Sequence, residues 1–216
     1  MRLISKLTEF ILLMSKKYNI DESHNIIHSL NVLNYAHTIY GTEIHKPQNH
    51  FLKEHEKIIY VSALLHDIAD KKYIDEQEGI EEINNFLIDK VKPTELNIIL
   101  QIISTMSYST IKKNGMPDLG QYQLAFNIVR EADLLTAYDF DRCMIYNLKK
   151  KDEDIIKSFN NAKELFQIRV LNYIDDELFI TDYSKKEAVR LHLNALTRIN
   201  SFHRIFFNEF IDDTNN

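Results

Sequence analysis

Hydrophobic side chains recur along most of the chain at the three- and four-residue spacing of amphipathic helices. Near the N-terminus this spacing predicts a first helix ending near Tyr18, and Asp21 or Ser23 is suited to cap a second helix that continues to Ala36. No segment of any length alternates with the two-residue period of a β-strand. The pattern therefore predicts an all-α fold.

The same periodicity predicts six further helices, over about 51–69, 81–91, 93–108, 122–148, 155–175 and 183–210. Polar or glycine- and proline-containing segments predict loops at 41–49, 70–78 and 109–120, and a charged break at 149–154. With four glycines and three prolines in 216 residues, long helices with short connections are expected. We predict one domain over residues 1–216, with a core of about 20–150 and C-terminal helices 155–210 packed on it.

The net charge and the single cysteine limit the partners and the covalent cross-links that are expected. The formal net charge of −6 gives no general attraction for nucleic acid or anionic membranes, so neither is an expected partner. Cys143 is the single cysteine, which excludes an intramolecular disulfide. The N-terminal apolar residues form stripes rather than the continuous core of a signal peptide, and no apolar run reaches the about 18 residues of a membrane span. A cytoplasmic location is the expectation.

Three short segments carry side chains suited to metal binding. An apolar helix runs directly into His66 and Asp67. Because adjacent helical residues point about 100° apart, both reach one ion only if it lies at the flank or end of the helix, with other ligands completing its coordination. His24 and His28 are four residues apart and share a helical face. Asp133 lies in an otherwise apolar helix, where a buried carboxylate needs a charge partner or a metal. Considered one at a time, these residues could equally be surface or capping residues. Asp133 could form an ion pair with Arg130 or Arg142 instead of binding a metal.

Taken in order, His28, the His66-Asp67 pair and Asp133 resemble the pattern of the HD superfamily of metal-dependent phosphohydrolases. The surrounding sequence is similar as well, since small bacterial HD hydrolases have phrases like DESHNIIHSLNVLNYA, VSALLHDIADKKY and IVREADLLTAY. The C-terminal phrase AKELFQIRVLNYI resembles their closing helices more loosely. The similarity extends from about Ser23 to Phe207.

The resemblance implies an HD-domain helical bundle with additional C-terminal helices. It implies one divalent metal ion held by His28, His66, Asp67 and Asp133. Imidazole with carboxylate suits Mn²⁺, Fe²⁺, Ni²⁺, Co²⁺ or Zn²⁺, and suits Mg²⁺ less well. The implied reaction is hydrolysis of a nucleotide or another small phosphoester by attack of a metal-activated water. The expected partner is thus a small phosphorylated substrate, with nucleotides favoured.

Four neighbouring residues receive candidate roles from the same resemblance. Asp70 lies where related alarmone hydrolases carry a carboxylate that activates water, so it is the candidate general base. Lys72 is a candidate to neutralise a phosphate in catalysis, and Lys71 to bind substrate. His24 is a candidate to contact the substrate or orient the site. The alternatives are a helix-end carboxylate, solvated lysines and a capping histidine.

The chain departs from the family pattern at four positions outside the metal ligands. The family's Arg after the first ligand, its His in the HSxS phrase, and the Arg and carboxylate after the distal Asp are replaced by Asn31, Met106, Leu134 and Thr136. These departures leave the substrate class open. Two- and three-metal HD sites need further histidines, and none of the candidates stands at a ligand spacing: His37, His45, His50 and His55.

Two other functions are compatible with these residues, and a third finds little support in them. The first is a non-catalytic HD module that binds a nucleotide as a sensor or scaffold, which the missing family residues favour. The second is a helical interaction protein in which the His-Asp pair is coincidental. The third is di-iron oxidation, which needs histidine ligands that the spacing does not supply. An aromatic stripe at the C-terminus suits core packing or a homodimer, and comprises Phe202, Phe206, Phe207 and Phe210.

Overall fold

The computed structural model of the chain describes residues 2–21 and 24–207. The described residues form ten α-helices and contain no β-strand, which confirms the predicted all-α fold. The helices are α1 (Leu3–Lys17), α2 (Ile26–Glu43), α3 (Leu52–Leu65), α4 (Glu76–Leu87), α5 (Pro93–Thr105), α6 (Tyr108–Asn114), α7 (Gln123–Thr136), α8 (Phe140–Lys150), α9 (Ile155–Ile168) and α10 (Asp182–Phe207).

Helices α3 and α7 form the centre of the bundle. Most residues of both helices are buried, as expected of helices that pack against several others. Many of their side chains are almost completely inaccessible, for example Ile59 and Leu64 on α3 and Phe126 and Val129 on α7. Helix α2 packs against both of them, and α1 and α5 cover α3 from the outside. This arrangement determines which helix ends meet.

The C-terminal helices pack on the same core. Helix α9 lies on α8, and α10 contacts α2, α7, α8 and α9. Two residues of the predicted aromatic stripe pack on the core, because Phe202 and Phe206 stack on each other and make ring contacts with Phe140 and Phe159 respectively. Phe207 is 43% exposed. Phe210 of that stripe lies outside the described residues.

A buried carboxylate attaches the segment before α10 to the central helix α7. Glu131 is fully buried and accepts hydrogen bonds from the Ile180 and Thr181 amides and from the Thr181 hydroxyl, the last at 2.6 Å. Its neighbour Arg130 donates to the carbonyl oxygen of Leu178 at 2.8 Å. Charge-assisted bonds of this kind fix the start of α10 against α7.

Several boundaries differ from the sequence-based predictions, and four of the differences lie near the C-terminal half of the bundle or at α4. Helix α4 begins at Glu76, five residues earlier than predicted, because the Asp75 side chain accepts from the Gln77 and Glu78 amides. The single helix predicted over 122–148 is two helices, and Asp139 caps the second by accepting from the Arg142 amide. The predicted 109–120 loop contains most of α6. The helix predicted to reach 175 ends at Ile168 and is followed by a 3₁₀ turn.

The predicted cap of α2 also needs correction. Asn25 is the capping residue, since its side chain accepts from the Ile27 amide, and Asp21 is not. Ser23, the other candidate, lies outside the described residues. Within the described residues, no helix has the length and apolar character needed to cross a membrane.

Candidate metal centre

Three helix ends meet at one point near the surface of the bundle. His28 lies in the first turn of α2, His66 directly follows the last residue of α3, and Asp133 lies in the last turn of α7. Asp67 follows His66 in the turn after α3. Because a helix C-terminus carries a partial negative charge, the ends of α3 and α7 both favour a cation at this point.

The donor atoms at this point are as close together as ligands of a single ion. The Nε2 atom of His28 lies 3.0 Å from Nε2 of His66 and 3.0 Å from Oδ2 of Asp67. Oδ1 of Asp133 is 3.5 Å from both imidazole Nε2 atoms. Metal–ligand bonds of about 2.0–2.2 Å place neighbouring donors about 3.0 Å apart in an octahedral shell and about 3.4 Å apart in a tetrahedral one. The predicted ligands therefore converge, and His28, His66 and Asp67 form a group able to hold a metal ion.

The ring of His66 is oriented for binding through Nε2. Its Nδ1 lies 2.9 Å from the carbonyl oxygen of Ala63, which can only accept, so Nδ1 carries the proton. In the neutral ring this leaves the Nε2 lone pair directed at the cluster. A backbone carbonyl behind a histidine ligand is the usual way in which proteins fix the tautomer that binds a metal.

The cluster is buried on one side and accessible on the other. The side chains of His28 and His66 are each 2% exposed, whereas those of Asp67 and Asp133 are 18% and 28% exposed. The imidazoles thus form the floor of the site. The carboxylates face the open side, from which a small molecule can approach.

Burial and mutual attraction shift the titration of the cluster. Burial opposes the charged form of His66, but the Asp67 and Asp133 carboxylates outweigh it and raise the pKa of His66 well above its usual range. Burial would likewise raise the pKa of Asp67, yet His66 and His28 hold it well below its usual range. The pKa of Asp133 is lowered by hydrogen bonds from the same two histidines, which outweigh burial. The carboxylates are therefore ionised and available to a cation at neutral pH.

Neither arginine considered as a partner for Asp133 forms an ion pair with it in the described part of the chain. Arg130 instead donates to the Leu178 carbonyl. The guanidinium of Arg142 approaches both ring nitrogens of His28, with Nη1 2.9 Å from Nε2 and closer to Nδ1. The carboxylate of Asp133 is thus balanced by the two histidines.

A cavity of about 430 Å³ opens over the cluster. Cavities of roughly 300–1,000 Å³ are typical of sites for small organic ligands. The predicted residues His24, His66, Asp67 and Asp133 all line it, together with the Asp70–Lys72 segment. The structure therefore brings three of the four predicted metal ligands and the predicted substrate-contacting residues to the wall of one cavity, and His28 contacts His66 behind that wall.

Asp70 and Lys72 interact with each other on the cavity wall. Oδ1 of Asp70 accepts from the Lys72 amide at 2.9 Å, and Oδ2 lies 3.3 Å from the Lys72 ammonium. The first contact matches the alternative role given above for Asp70, which is a carboxylate hydrogen-bonded to the backbone instead of a general base. Lys71 is exposed at the cavity rim.

His24 belongs to a chain of polar contacts that leads to Lys72. Its Nε2 is 3.1 Å from the Lys72 ammonium, which can only donate, and its Nδ1 is 3.0 Å from the Tyr73 hydroxyl. The Tyr73 hydroxyl in turn donates to Asp21 at 2.6 Å. In the described structure, His24 therefore orients Lys72.

None of the four residues that depart from the resembled sequence pattern lines the first cavity. Met106 and Leu134 are buried in the core. Asn31 and Thr136 line a second, more open cavity of about 470 Å³ between α2, the α7–α8 junction and α10. The remaining candidate histidines do not line the first cavity: His37, His45, His50 and His55.

Several residues of the cavity wall had no signal in the sequence. Arg142 and Tyr146 come from α8, whose separation from α7 was not predicted, and Arg169 follows α9. The guanidinium of Arg169 stacks on the Tyr108 ring, 4.3 Å from its centroid, and donates to the Tyr173 hydroxyl. These contacts join segments distant in the chain, so no local pattern marks them.

Cys143 also lines the cavity, from a half-buried position. Burial raises the pKa of its thiol, so the neutral form is favoured.

Comparisons with known proteins define the fold. A scan against protein-family models and a search of curated proteins each gave no match. A crystal structure of a Lactobacillus plantarum protein, solved as a structural genomics target, has a TM-score of 0.66 and 19% identity over 97% of this chain and 100% of that one. Bacillus subtilis YpgQ has a TM-score of 0.62 and 17% identity over 95% of this chain and 98% of its own. At these identities the likeness establishes a shared fold alone.

Proposed function

We propose that the protein is a divalent-metal-dependent phosphohydrolase acting on a nucleotide or another small phosphoester. His28, His66, Asp67 and Asp133 would hold the ion. The observation that carries the proposal is their convergence from three helix ends, with donor atoms 3.0–3.5 Å apart, at the base of one cavity. Two imidazoles with two carboxylates favour Mn²⁺, Fe²⁺, Co²⁺, Ni²⁺ or Zn²⁺.

The residues around the cluster supply what phosphoryl chemistry requires. A divalent ion bound there would lower the pKa of a water molecule and polarise a phosphoryl oxygen. The Lys72 ammonium, held by His24 and Asp70, would neutralise charge on the phosphate. Lys71 at the rim would attract an anionic substrate into the cavity.

Asp70 remains the candidate for taking the proton of the attacking water. Its Oδ1 accepts from the Lys72 amide and its Oδ2 lies 3.3 Å from the Lys72 ammonium, but a carboxylate offers about four lone pairs, so acceptor capacity remains. Replacing Asp70 by alanine should leave metal binding intact and reduce turnover by about a hundredfold or more, as expected for general base catalysis. Full activity of Asp70→Ala would show that this base assignment is wrong.

The proposal is tested by metal analysis together with a phosphatase screen. Purified protein with Mn²⁺, Co²⁺ or Ni²⁺ should release phosphate or pyrophosphate from at least one nucleotide or phosphomonoester. Asp67→Ala should lose both the bound metal and the turnover. Asp89→Ala is the matched control, because Asp89 is 73% exposed and pairs with Lys90 away from the cavity. Loss of activity in both variants, or in neither, would contradict the assignment.

The engagement of both Asp70 oxygens favours a second candidate function. In this alternative the cavity binds a nucleotide as a sensor or scaffold, without hydrolysis. The same screen distinguishes the two functions, since tight nucleotide binding without turnover under every metal would support the alternative.

A further inference from the structure

Arg169 presents a positive charge to the cavity without an ion-pair partner among the described residues. It directly follows α9 and is partly buried. Its side chain makes one hydrogen bond in the described structure, from Nε to the Tyr173 hydroxyl at 2.9 Å. By contrast, the surface residue Arg190 pairs with the carboxylate of Glu187. In a protein with a net charge of −6, an arginine left without a carboxylate beside a cavity is available to an anionic ligand.

Two tyrosines hold the Arg169 guanidinium in a fixed orientation. Its central carbon lies 4.3 Å from the centroid of the Tyr108 ring, which is a stacking distance. The Tyr173 side chain that accepts from Nε is fully buried, so this anchor is itself held by the core. The donors on both Nη atoms remain for a ligand. Because the guanidinium is oriented in advance, less conformational entropy is lost when it binds an anion.

Hydroxyl groups lie near this guanidinium on the cavity wall. The residues on either side of Tyr108 are Ser107 and Ser109, and both line the cavity together with Ser104 and Thr110. The Ser107 hydroxyl donates to the Thr110 hydroxyl at 2.7 Å, which leaves the latter a hydrogen to donate. Hydroxyl and guanidinium donors close to each other are suited to bind the oxygens of a phosphate group.

The guanidinium and the candidate metal ligands occupy different parts of the cavity wall. Asp67 follows α3 and Asp133 lies in α7, and neither forms an ion pair with Arg169 in the described structure. Tyr173 is close to both sides: burial raises the pKa of its hydroxyl to about 12, Arg169 opposes the rise and Asp133 adds to it. A ligand bound to the metal could therefore reach Arg169 only with a further part of the molecule.

We propose that Arg169 binds a second anionic group of the substrate, separate from the phosphoryl group that reacts at the metal. The inference rests on the proposed metal-dependent function and narrows its substrate class to phosphoesters with two or more anionic groups, such as nucleoside di- and triphosphates. Arg169 is then a specificity-determining residue that takes no part in the attack of water. Tyr108 and Tyr173 are positioning residues that act through it.

Two phosphonates that resist hydrolysis test the proposal. Methylphosphonate carries one anionic group and methylenediphosphonate carries two, and each is titrated calorimetrically into protein loaded with excess Mn²⁺. A titration into the same buffer without protein corrects for metal bound by the ligand itself. Arg169→Met should bind methylenediphosphonate about tenfold more weakly or worse, as expected for loss of a charge-assisted hydrogen bond. Its affinity for methylphosphonate should change less than about threefold, because the single group binds at the metal.

Arg190→Met is the matched control for charge. It removes the same charge from a residue that pairs with Glu187 and does not line the cavity, so its affinity for either phosphonate should change less than about threefold. Arg169→Lys keeps the charge but lacks the planar fork, and Tyr173→Phe keeps the arginine but removes the acceptor of its Nε. Each should lose part of the affinity for methylenediphosphonate. These two variants also serve if Arg169→Met does not fold.

The outcomes separate this inference from the proposed function. Unchanged affinity of Arg169→Met for methylenediphosphonate overturns the anion-binding role and leaves the metal site standing. An equal loss for methylphosphonate means that Arg169 contacts the reacting group, which overturns the second anionic position. An equal loss in Arg190→Met also overturns it, because general charge would then be the cause. Absence of Mn²⁺ binding by the unmodified protein overturns the proposed function itself, and this inference with it.

Discussion

Replacing Gly79 by alanine should disturb the metal centre from outside it. Gly79 lies in the first turns of α4, where this helix crosses the segment that follows His66 and Asp67. A Cβ at residue 79 would lie 2.6 Å from the Cα and 2.8 Å from the Cβ of Ala69. Carbon atoms in contact prefer about 3.5–4.0 Å, so helix and turn must separate by about 1 Å. Because the closest atom is backbone, no side-chain rotation relieves the clash.

Two opposing terms determine the size of the effect on stability. Overpacking of a close contact costs about 1–3 kcal/mol, and the higher helix propensity of alanine offsets about 1 kcal/mol of it. We therefore expect Gly79→Ala to lower the free energy of unfolding by up to about 2 kcal/mol, or roughly 4–8 °C in Tm for a domain of this size. Since Ala69 is two residues from Asp67, Mn²⁺ affinity should also fall, by about tenfold.

Gly41→Ala is the matched control for this experiment. Gly41 lies inside α2, and a Cβ there would meet no atom within 4 Å. This variant should gain about 0.5–1 kcal/mol from helix propensity and keep its Mn²⁺ affinity. Thermal unfolding and Mn²⁺ calorimetry of the two variants are the assay. If Gly79→Ala is stabilised as much as Gly41→Ala and binds Mn²⁺ equally well, the argument from the close approach is wrong.

Three further predictions concern the charges of the bundle. The pKa of His66 is raised despite burial, so Mn²⁺ must displace the proton of its ring. The affinity of the protein for Mn²⁺, measured by calorimetry, should therefore rise by up to about tenfold per pH unit until the pH passes that pKa. An affinity that is constant between about pH 6 and 8 would contradict this. The same shift means that, without metal, the stabilisation from charged His66 is complete below its unfolded pKa and is lost as pH rises through the folded pKa. Glu131→Gln should lower the free energy of unfolding by about 1.5–3 kcal/mol in denaturant titrations, because an amide replaces one oxygen that accepts from the Thr181 segment. His24→Ala should raise KM for the phosphorylated substrate without changing Mn²⁺ affinity, since it removes a partner that orients Lys72; a parallel loss of Mn²⁺ binding would place His24 in the metal site.

The sequence predicted the candidate metal ligands better than it predicted the cavity around them. His66 and Asp67 follow an apolar helix and Asp133 lies inside one, so their environment is visible in the local pattern. Arg142 and Arg169 have no such pattern. Both reach the cavity through contacts between segments distant in the chain, since Arg142 lies beside His28 of α2 and Arg169 stacks on Tyr108 of α6.

The predicted helix boundaries were wrong where a single capping side chain set the start of a helix against the apolar pattern. Hydrophobic residues continue through 122–148 without a gap, yet Asp139 caps a new helix because its carboxylate accepts from the Arg142 amide. In the predicted 109–120 loop, Ser107 provides a cap and α6 forms before Gly115, whose φ of 80° ends it. Such caps are local, but the same residue types are common in loops, so composition alone favoured the wrong state.

The candidate donors come from the first turn of α2, the residues after α3 and the last turn of α7. A chain still being synthesised presents the first three donors well before Asp133 has been made, and the fourth joins them only after α7 has packed into the centre. A metal ion held by all four donors would bind only the folded bundle. It would add about 2.7 kcal/mol to the free energy of unfolding at a free metal concentration 100 times the dissociation constant. Cellular metal supply would then influence not only turnover but also how long each copy of the protein survives.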